Sequence, residues 1–90
     1  MRPQIQIVRK PEVLNQFGFS RSVLYDRINN GLMPPPISLG SRAVGYLQHE
    51  LDAVMTYIIA GRPNNEIKLL IKNMLAERQK GINKPEEEIK

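Results

Sequence analysis

The sequence predicts a mainly α-helical fold with one small β-hairpin and an extra helix at the C-terminal end. Two short helical segments, residues 10–17 and 21–30, are separated by a turn that contains a glycine. A proline-rich break and two short alternating segments come next, and two longer amphipathic segments follow them. Two helices joined by so short a turn are typical of a helix-turn-helix, and a hairpin directly after it is the wing of a winged helix-turn-helix.

The first elements are predicted from local signals. Residues 5–8 alternate and include β-branched side chains, which favours a brief strand. Pro11 suits the first turn of a helix, Glu12 favours the positive end of its dipole, and Gly18 ends it. We therefore expect a first helix of about two turns.

The second helix is predicted to start directly after Ser20. This residue is a good N-cap, because its hydroxyl can accept a hydrogen bond from a free backbone N–H. At about 100° per residue, Leu24 and Ile28 point inward. The opposite side carries short polar side chains, namely Ser22, Asp26 and Asn29. Such a face suits the reading of base edges in DNA.

The segment after the second helix predicts the hairpin. Residues 34–36 are three prolines, which exclude a helix interior and a central strand. Residues 37–39 and 43–46 alternate apolar and small side chains around Gly40-Ser41-Arg42. We expect a β-hairpin with an arginine near its tip.

Helical periodicity predicts two further helices. The third spans residues 48–60, and its apolar stripe consists of Leu51, Val54, Met55 and Ile58. The fourth spans residues 65–80, and its stripe consists of Ile67, Leu70, Ile71, Met74 and Leu75. Packing of this stripe on its own domain is the favoured interpretation. Packing against a second copy is the alternative, so the chain is either a monomer or a homodimer through residues 65–80.

These elements divide the chain into three parts. Residues 1–62 form the winged helix-turn-helix domain, and residues 63–80 form a C-terminal amphipathic helix. Residues 81–90 have little to bury and are predicted to be a disordered tail.

Composition and charge narrow the class of protein. There is no cysteine, no apolar run near the ~20 residues of a membrane span, and no apolar signal-peptide region. We therefore expect a cytoplasmic protein without a membrane partner. The first 45 residues carry six Lys or Arg and two acidic residues, an excess equal to the net charge of +4 of the whole chain. This asymmetry predicts a polyanionic partner for the N-terminal half.

Neither a catalytic site nor a metal site is predicted. His49 is the single histidine, only Glu50 and Asp52 lie near it, and no cysteine completes a ligand set. No serine has a plausible His/Asp arrangement, and there is no glycine-rich phosphate loop. We expect a protein that is not an enzyme and has no cofactor, with His49 on the surface of the third helix.

Four stretches, taken in order, carry a family resemblance. They are Glu12-Val13, residues 18–25 (GFSRSVLY), residues 30–34 leading into 36–40 (NGLMP, PISLG), and residues 42–46 (RAVGY) followed by Glu50-Leu51. By these stretches, residues from about 10 to 62 resemble the AlpA family of phage and genomic-island regulators, related to excisionases and more distantly to MerR-type winged helices. The resemblance implies a cytoplasmic DNA-binding regulator of a mobile element, which controls integrase expression or bends attachment-site DNA for excision. Asp26 stands where the family is often basic, and Tyr46 where it often has Trp.

Nine residues are candidate DNA contacts: Arg9, Lys10, Ser20, Arg21, Ser22, Tyr25, Asp26, Asn29 and Arg42. Arg21 can bond a guanine, a contact worth about 1–3 kcal/mol of discrimination, or it packs on the flank of its own helix. Ser22 contacts phosphate or a base, or is merely solvated. Arg42 is expected to enter the minor groove or contact a phosphate. Arg9 and Lys10 contact phosphates or are ordinary surface charges.

The remaining candidates also have two interpretations each. The hydroxyl of Tyr25 reaches a phosphate, or the ring packs in the core. Asp26 accepts a hydrogen bond from a cytosine amino group or rejects wrong registers, or it is a solvated carboxylate paired with Arg27 or Lys10. Asn29 caps the helix end, which is the favoured interpretation, or touches a phosphate.

The sequence therefore predicts a sequence-specific DNA-binding transcriptional regulator or excisionase of a prophage or genomic island, with double-stranded DNA as its partner. If four to six phosphates are neutralised, the slope of log K against log salt is about −4 to −5. The alternative is a protein-interaction adaptor that binds an integrase or a response regulator. Asp26 on the reading face and the added fourth helix favour that alternative.

Overall fold

The computed structural model describes the backbone of residues 5–89 and the side chains of residues 5–80. The elements in chain order are β1 (Ile7–Val8), α1 (Lys10–Phe17), α2 (Arg21–Asn29), β2 (Ile37–Gly40), β3 (Ala43–Leu47), α3 (Gln48–Ile59) and α4 (Asn64–Ile89). The predicted mainly α-helical fold with a hairpin is confirmed. None of the helices in the described residues is both long enough and apolar enough to span a bilayer.

The turn between α1 and α2 is built from the predicted signals. Gly18 takes a left-handed conformation (φ 70°), and its N–H donates to the Leu14 carbonyl at 2.8 Å, which ends α1. A residue with a Cβ would be strained in this conformation. The Ser20 hydroxyl then accepts a hydrogen bond from the Val23 N–H at 3.3 Å and starts α2. The connection between the two helices is thereby fixed at both ends.

The three strands form one antiparallel sheet in the order β1-β3-β2. Ile7 pairs with Leu47 on one side of β3, and Ile37 pairs with Gly45 on the other side. The sequence predicted the first strand without a partner. The structure shows that it extends the hairpin, so the segment before α1 is fixed to the base of the wing.

One hydrophobic core joins the helices to the sheet. Its buried side chains are Val8, Val13, Leu24, Leu32, Met33, Tyr46, Leu51, Val54, Ile67 and Ile71. Ile67 and Ile71 come from α4, and Leu70, Met74 and Leu75 pack around them. The apolar stripe of α4 therefore lies on its own domain, as the favoured interpretation expects.

The inward face of α3 differs from the predicted stripe. Leu51 and Val54 are fully buried, but Ile58 is 37% exposed, and Glu50 is only 3% exposed. The stripe is rotated towards Glu50 because that carboxylate has a partner inside the fold. Periodicity of apolar residues cannot predict a buried ion pair.

The partner of Glu50 is Arg78 of α4. Its Nε donates to Glu50 Oε2 at 2.8 Å, and its Nη2 donates to Glu50 Oε1 at 2.6 Å. The same Nη2 donates to the Pro35 carbonyl at 2.9 Å. One guanidinium therefore joins α4, α3 and the proline segment that leads into the wing. Because both charges are largely removed from water, each depends on the other.

A second polar contact joins α1 to α3. The side-chain amides of Gln16 and Gln48 exchange two hydrogen bonds of 2.9 and 3.0 Å, and Gln48 Nε2 also donates to Asp52 at 2.8 Å. Gln48 is the first residue of α3, directly after the N-cap residue Leu47, and its side chain makes these bonds at the start of the helix. The relative positions of α1 and α3 are thus set by specific bonds as well as by apolar packing.

The fourth helix is longer than the predicted segment 65–80. It starts at Asn64 and continues to Ile89, so the backbone is helical over most of the segment 81–90 that was expected to be disordered. Once a helix is formed and packed, each added residue costs little, because nucleation is the unfavourable step. The side chains of residues 81–90 lie outside the described residues.

We expect Arg78→Met to lower the free energy of unfolding by about 3 kcal/mol, because it leaves the buried Glu50 carboxylate without a partner. Urea unfolding followed by circular dichroism measures the loss. Arg62→Met is the matched control: it removes an exposed pair with Glu66 and should cost less than about 1 kcal/mol. Equal costs for the two variants would contradict the role assigned to Arg78.

We expect Gly45→Ala to destabilise the sheet by about 1–3 kcal/mol through overpacking. A Cβ at this position would lie 2.5 Å from Ile7 Cγ2 and 3.1 Å from Leu39 Cδ1. The same substitution in an Ile7→Ala background should cost much less, because the nearest atom is gone. Thermal unfolding of the four variants of this cycle tests the explanation, which fails if the cost of Gly45→Ala is the same in both backgrounds.

Candidate nucleic-acid interface

The start of α1, the start of α2 and the wing meet around one surface cavity of about 430 Å³. It is lined by Arg9, Lys10, Pro11, Arg21, Arg42 and Val44. We call it the basic groove, because four of these side chains are cationic and none is acidic. A concave surface lined by one sign of charge concentrates the field and attracts a polyanion.

The wing contributes Arg42 to the basic groove. This residue is exposed at the hairpin tip and has a φ of 68°, the left-handed conformation that side chains with a Cβ rarely adopt. Such a conformation costs roughly 1–2 kcal/mol for most residues. Strain at an exposed arginine beside three other cations points to a role other than folding.

The outward face of α2 is open to solvent. The five candidate side chains Arg21, Ser22, Tyr25, Asp26 and Asn29 are all exposed, whereas Leu24 is fully buried and Ile28 is half-buried. The predicted inward and outward sides of this helix are therefore observed. Arg21 lies on the flank nearest the basic groove, and its guanidinium remains accessible.

A hydrogen bond links Tyr25 to the basic groove. Lys10 Nζ donates to the phenol oxygen of Tyr25, which is 46% exposed. The bond and the charge of Lys10 lower the pKa of Tyr25 below its usual 10.0, and the charge of Arg21 adds to this effect. The core-packing interpretation of Tyr25 is thus not what the structure shows.

The two ends of α2 are capped by side chains, one as predicted and one not. The Ser20 hydroxyl is the N-cap of α2, as predicted, and lies 3.3 Å from the Ser22 hydroxyl. The cap at the other end of α2 is Asn30, whose side-chain amide donates to the Asp26 carbonyl at 2.8 Å. The favoured cap role of Asn29 is therefore wrong, because Asn30 occupies the position from which an amide reaches the last turn.

The carboxylate of Asp26 is exposed on the outward face of α2. Within the side chains of residues 5–80, the ion pairs are Arg62–Glu66, Glu50–Arg78 and Glu77–Lys80, so Asp26 pairs with neither Arg27 nor Lys10. Its oxygens are free to accept hydrogen bonds from a ligand.

Arg27 is the one basic residue of α2 with a structural role. Its Nη2 donates to the Leu32 carbonyl at 3.4 Å, and its guanidinium lies 5.3 Å from the centre of the Phe19 ring. Partial burial lowers the pKa of this guanidinium. Arg27 therefore holds the end of α2 against the turn and does not line the basic groove.

A group of metal-binding residues is absent from the part of the chain that the structure describes, where no three His, Cys, Asp or Glu side chains converge. His49 is exposed, as predicted.

Residues 6–56 match the family described as prophage CP4-57 regulatory protein (AlpA). The chain belongs to the AlpA family. It is also 44% identical over 59 residues, 66% of this chain and 67% of the relative, to an uncharacterized protein, ORF88, of Enterobacteria phage P4. No solved structure gives a significant match to this AlpA family member.

Some residues of the basic groove were not predicted from the sequence of this AlpA family member. Pro11 and Val44 line the groove and give it an apolar part. The bond between Lys10 and Tyr25 was also missed, because the two residues are 15 positions apart and no local pattern indicates their contact.

We expect Arg42→Gly to leave the stability of this AlpA protein unchanged or raise it by up to about 1 kcal/mol, because glycine relieves the left-handed strain. The neighbouring Ser41→Gly is the control, and it should lower stability by about 0.5 kcal/mol through the added entropy of the unfolded chain. Urea unfolding compares the two. A loss at Arg42→Gly larger than at Ser41→Gly would show that Arg42 stabilises the fold.

Proposed function

We propose that this prophage regulatory protein is a sequence-specific DNA-binding protein and not an enzyme. The observation that carries the proposal is the basic groove, where cations from α1, α2 and the wing line one cavity without a carboxylate. α2 is the recognition helix in the major groove, and the wing contacts the adjacent backbone or minor groove. Transcription control and excision of a prophage or genomic island both use this mode of binding.

The proposed contacts fall into two classes. Arg9, Lys10 and Arg42 neutralise phosphates, which supplies affinity and fixes the register without reading sequence. Arg21 and Asp26 face base edges, where arginine pairs with guanine and a carboxylate accepts from the amino group of cytosine. Ser22 and Asn29 lie on the same exposed face and contribute adaptable polar contacts.

Asp26 also contributes to selectivity. It is an exposed carboxylate on the face of α2 that meets the polyanionic duplex, so it repels the duplex unless a base amino group is placed opposite it. A lysine or arginine at this position would raise affinity for any DNA. The carboxylate instead favours one register over its neighbours.

The proposal predicts that the protein binds DNA from the attachment region and promoter of the element that encodes it, and that this binding weakens as the salt concentration rises. An electrophoretic mobility-shift assay at several salt concentrations measures it. Arg42→Asn should weaken binding and reduce the magnitude of the slope of log K against log salt by about 0.9, because one phosphate contact is lost. Asparagine tolerates the left-handed conformation, so the hairpin tip is retained. Arg21→Ala should cost roughly 1–3 kcal/mol on the preferred site and much less on unrelated DNA.

Lys72→Met is the matched control, because this exposed lysine lies on α4 and does not line the basic groove. It should change neither the affinity nor the slope. Binding that survives Arg21→Ala and Arg42→Ala together, or that is the same on every sequence, would favour the adaptor that binds an integrase or a response regulator.

A further inference from the structure

The contact between Lys10 and Tyr25 connects the two helices of the helix-turn-helix at the edge of the basic groove. Lys10 is the first residue of α1 and is half-buried, and it is one of the residues that line the groove. Tyr25 lies in the middle of α2, 46% exposed, on the flank that faces Lys10. The phenol oxygen is therefore held in place while its outer side remains open to a ligand.

The chemistry of the two groups determines where the phenol hydrogen points. An ammonium only donates hydrogen bonds, so it occupies a lone pair of the phenol oxygen. The single O–H of Tyr25 must then point away from Lys10 towards another acceptor. Among the side chains of residues 5–80, the hydrogen bond of the Tyr25 hydroxyl is the one that it accepts from Lys10. The hydroxyl hydrogen is thus directed outward and is available to a ligand.

A hydroxyl that accepts a bond from a cation is also a stronger donor, because hydrogen bonds in a chain polarise one another. The lowered pKa of Tyr25 is the same effect seen as acidity, and its first cause is the bond from Lys10. The best partner for such a donor is an anionic oxygen that cannot donate in return. A phosphodiester oxygen has this property.

We propose that Lys10 and Tyr25 form a two-donor clamp for a single phosphate of the DNA backbone, in which Lys10 holds the Tyr25 hydroxyl with its hydrogen directed at the phosphate. This inference rests on the proposed DNA binding. Lys10 has two roles in the clamp: its remaining N–H groups contact the phosphate, and its bond to Tyr25 positions the second donor. Tyr25 lies beside the groove rather than at the centre of the α2 face, so it contacts backbone and not base edges.

Tyr25→Phe is the first test, because it removes a single oxygen and no charge. We expect about a tenfold loss of affinity, the effect of one hydrogen bond to a charged group. The slope of log K against log salt should not change, because no counterion release is lost. Lys10→Met should lose more affinity than Tyr25→Phe and should reduce the magnitude of the slope by about 0.9.

A double-mutant cycle tests the positioning role of Lys10. In the Tyr25→Phe background, Lys10→Met should cost several-fold less affinity than in the unmodified chain, because there is no hydroxyl left to orient. Tyr57→Phe and Lys72→Met are the matched controls on α3 and α4, and each should bind as the unmodified chain does. Additive losses, or no loss at Tyr25→Phe, would overturn the clamp.

A measurement without DNA tests the contact itself. A pH titration of tyrosine ring carbons by NMR should show that Lys10→Met raises the pKa of Tyr25 and that Lys72→Met does not. An unchanged pKa would overturn the clamp. If the unmodified chain shows no salt-dependent DNA binding, both the proposed function and the clamp that rests on it fail. If binding depends on Arg21 and Arg42 but not on the Tyr25 hydroxyl, the clamp alone fails.

Discussion

The buried ion pair between Arg78 and Glu50 is the interaction on which the arrangement of this molecule depends. The guanidinium of Arg78 binds both carboxylate oxygens of Glu50 and the Pro35 carbonyl. One set of hydrogen bonds therefore joins α4, α3 and the segment that enters the wing. A charge removed from water is tolerated only with its partner in place. Removal of α4 would therefore leave the buried Glu50 carboxylate without its partner. The C-terminal helix is a structural part of the domain that carries the groove.

The match to the AlpA family ends before this partner. It covers residues 6–56, which include Glu50 and every side chain that lines the basic groove, whereas Arg78 lies beyond it. The matched segment thus holds one half of the buried pair, and α4 supplies the counter-charge. This division explains how an added helix can be integrated into the winged domain: it contributes two apolar residues to the core and satisfies one buried carboxylate.

The basic groove places repulsion and strain at the surface rather than in the core. Four cations share one cavity, and Arg42 has a left-handed backbone. Exposed like charges are screened by salt and water, so their mutual repulsion costs little in the free protein. A polyanion would turn the same charges into favourable contacts. The arginines that hold the fold and those that line the groove are therefore different residues, with Arg27 and Arg78 in the fold and Arg21 and Arg42 in the groove.

The sequence alone determined the type and order of the elements, because their signals are local. Gly18 ends the first helix, Ser20 starts the second, and the three prolines separate the second helix from the hairpin. The periodicity of apolar residues indicates which face of each helix points inward. The outward side of α2 and the arginine at the hairpin tip follow from the same rules. Three contacts are decided only by the tertiary structure, because no short stretch of sequence predicts them: the pairing of β1 with β3, the buried ion pair of Glu50 with Arg78, and the bond between Lys10 and Tyr25. Each of these joins residues at least 15 positions apart, and their contact depends on the packing of whole elements rather than on local conformational preference.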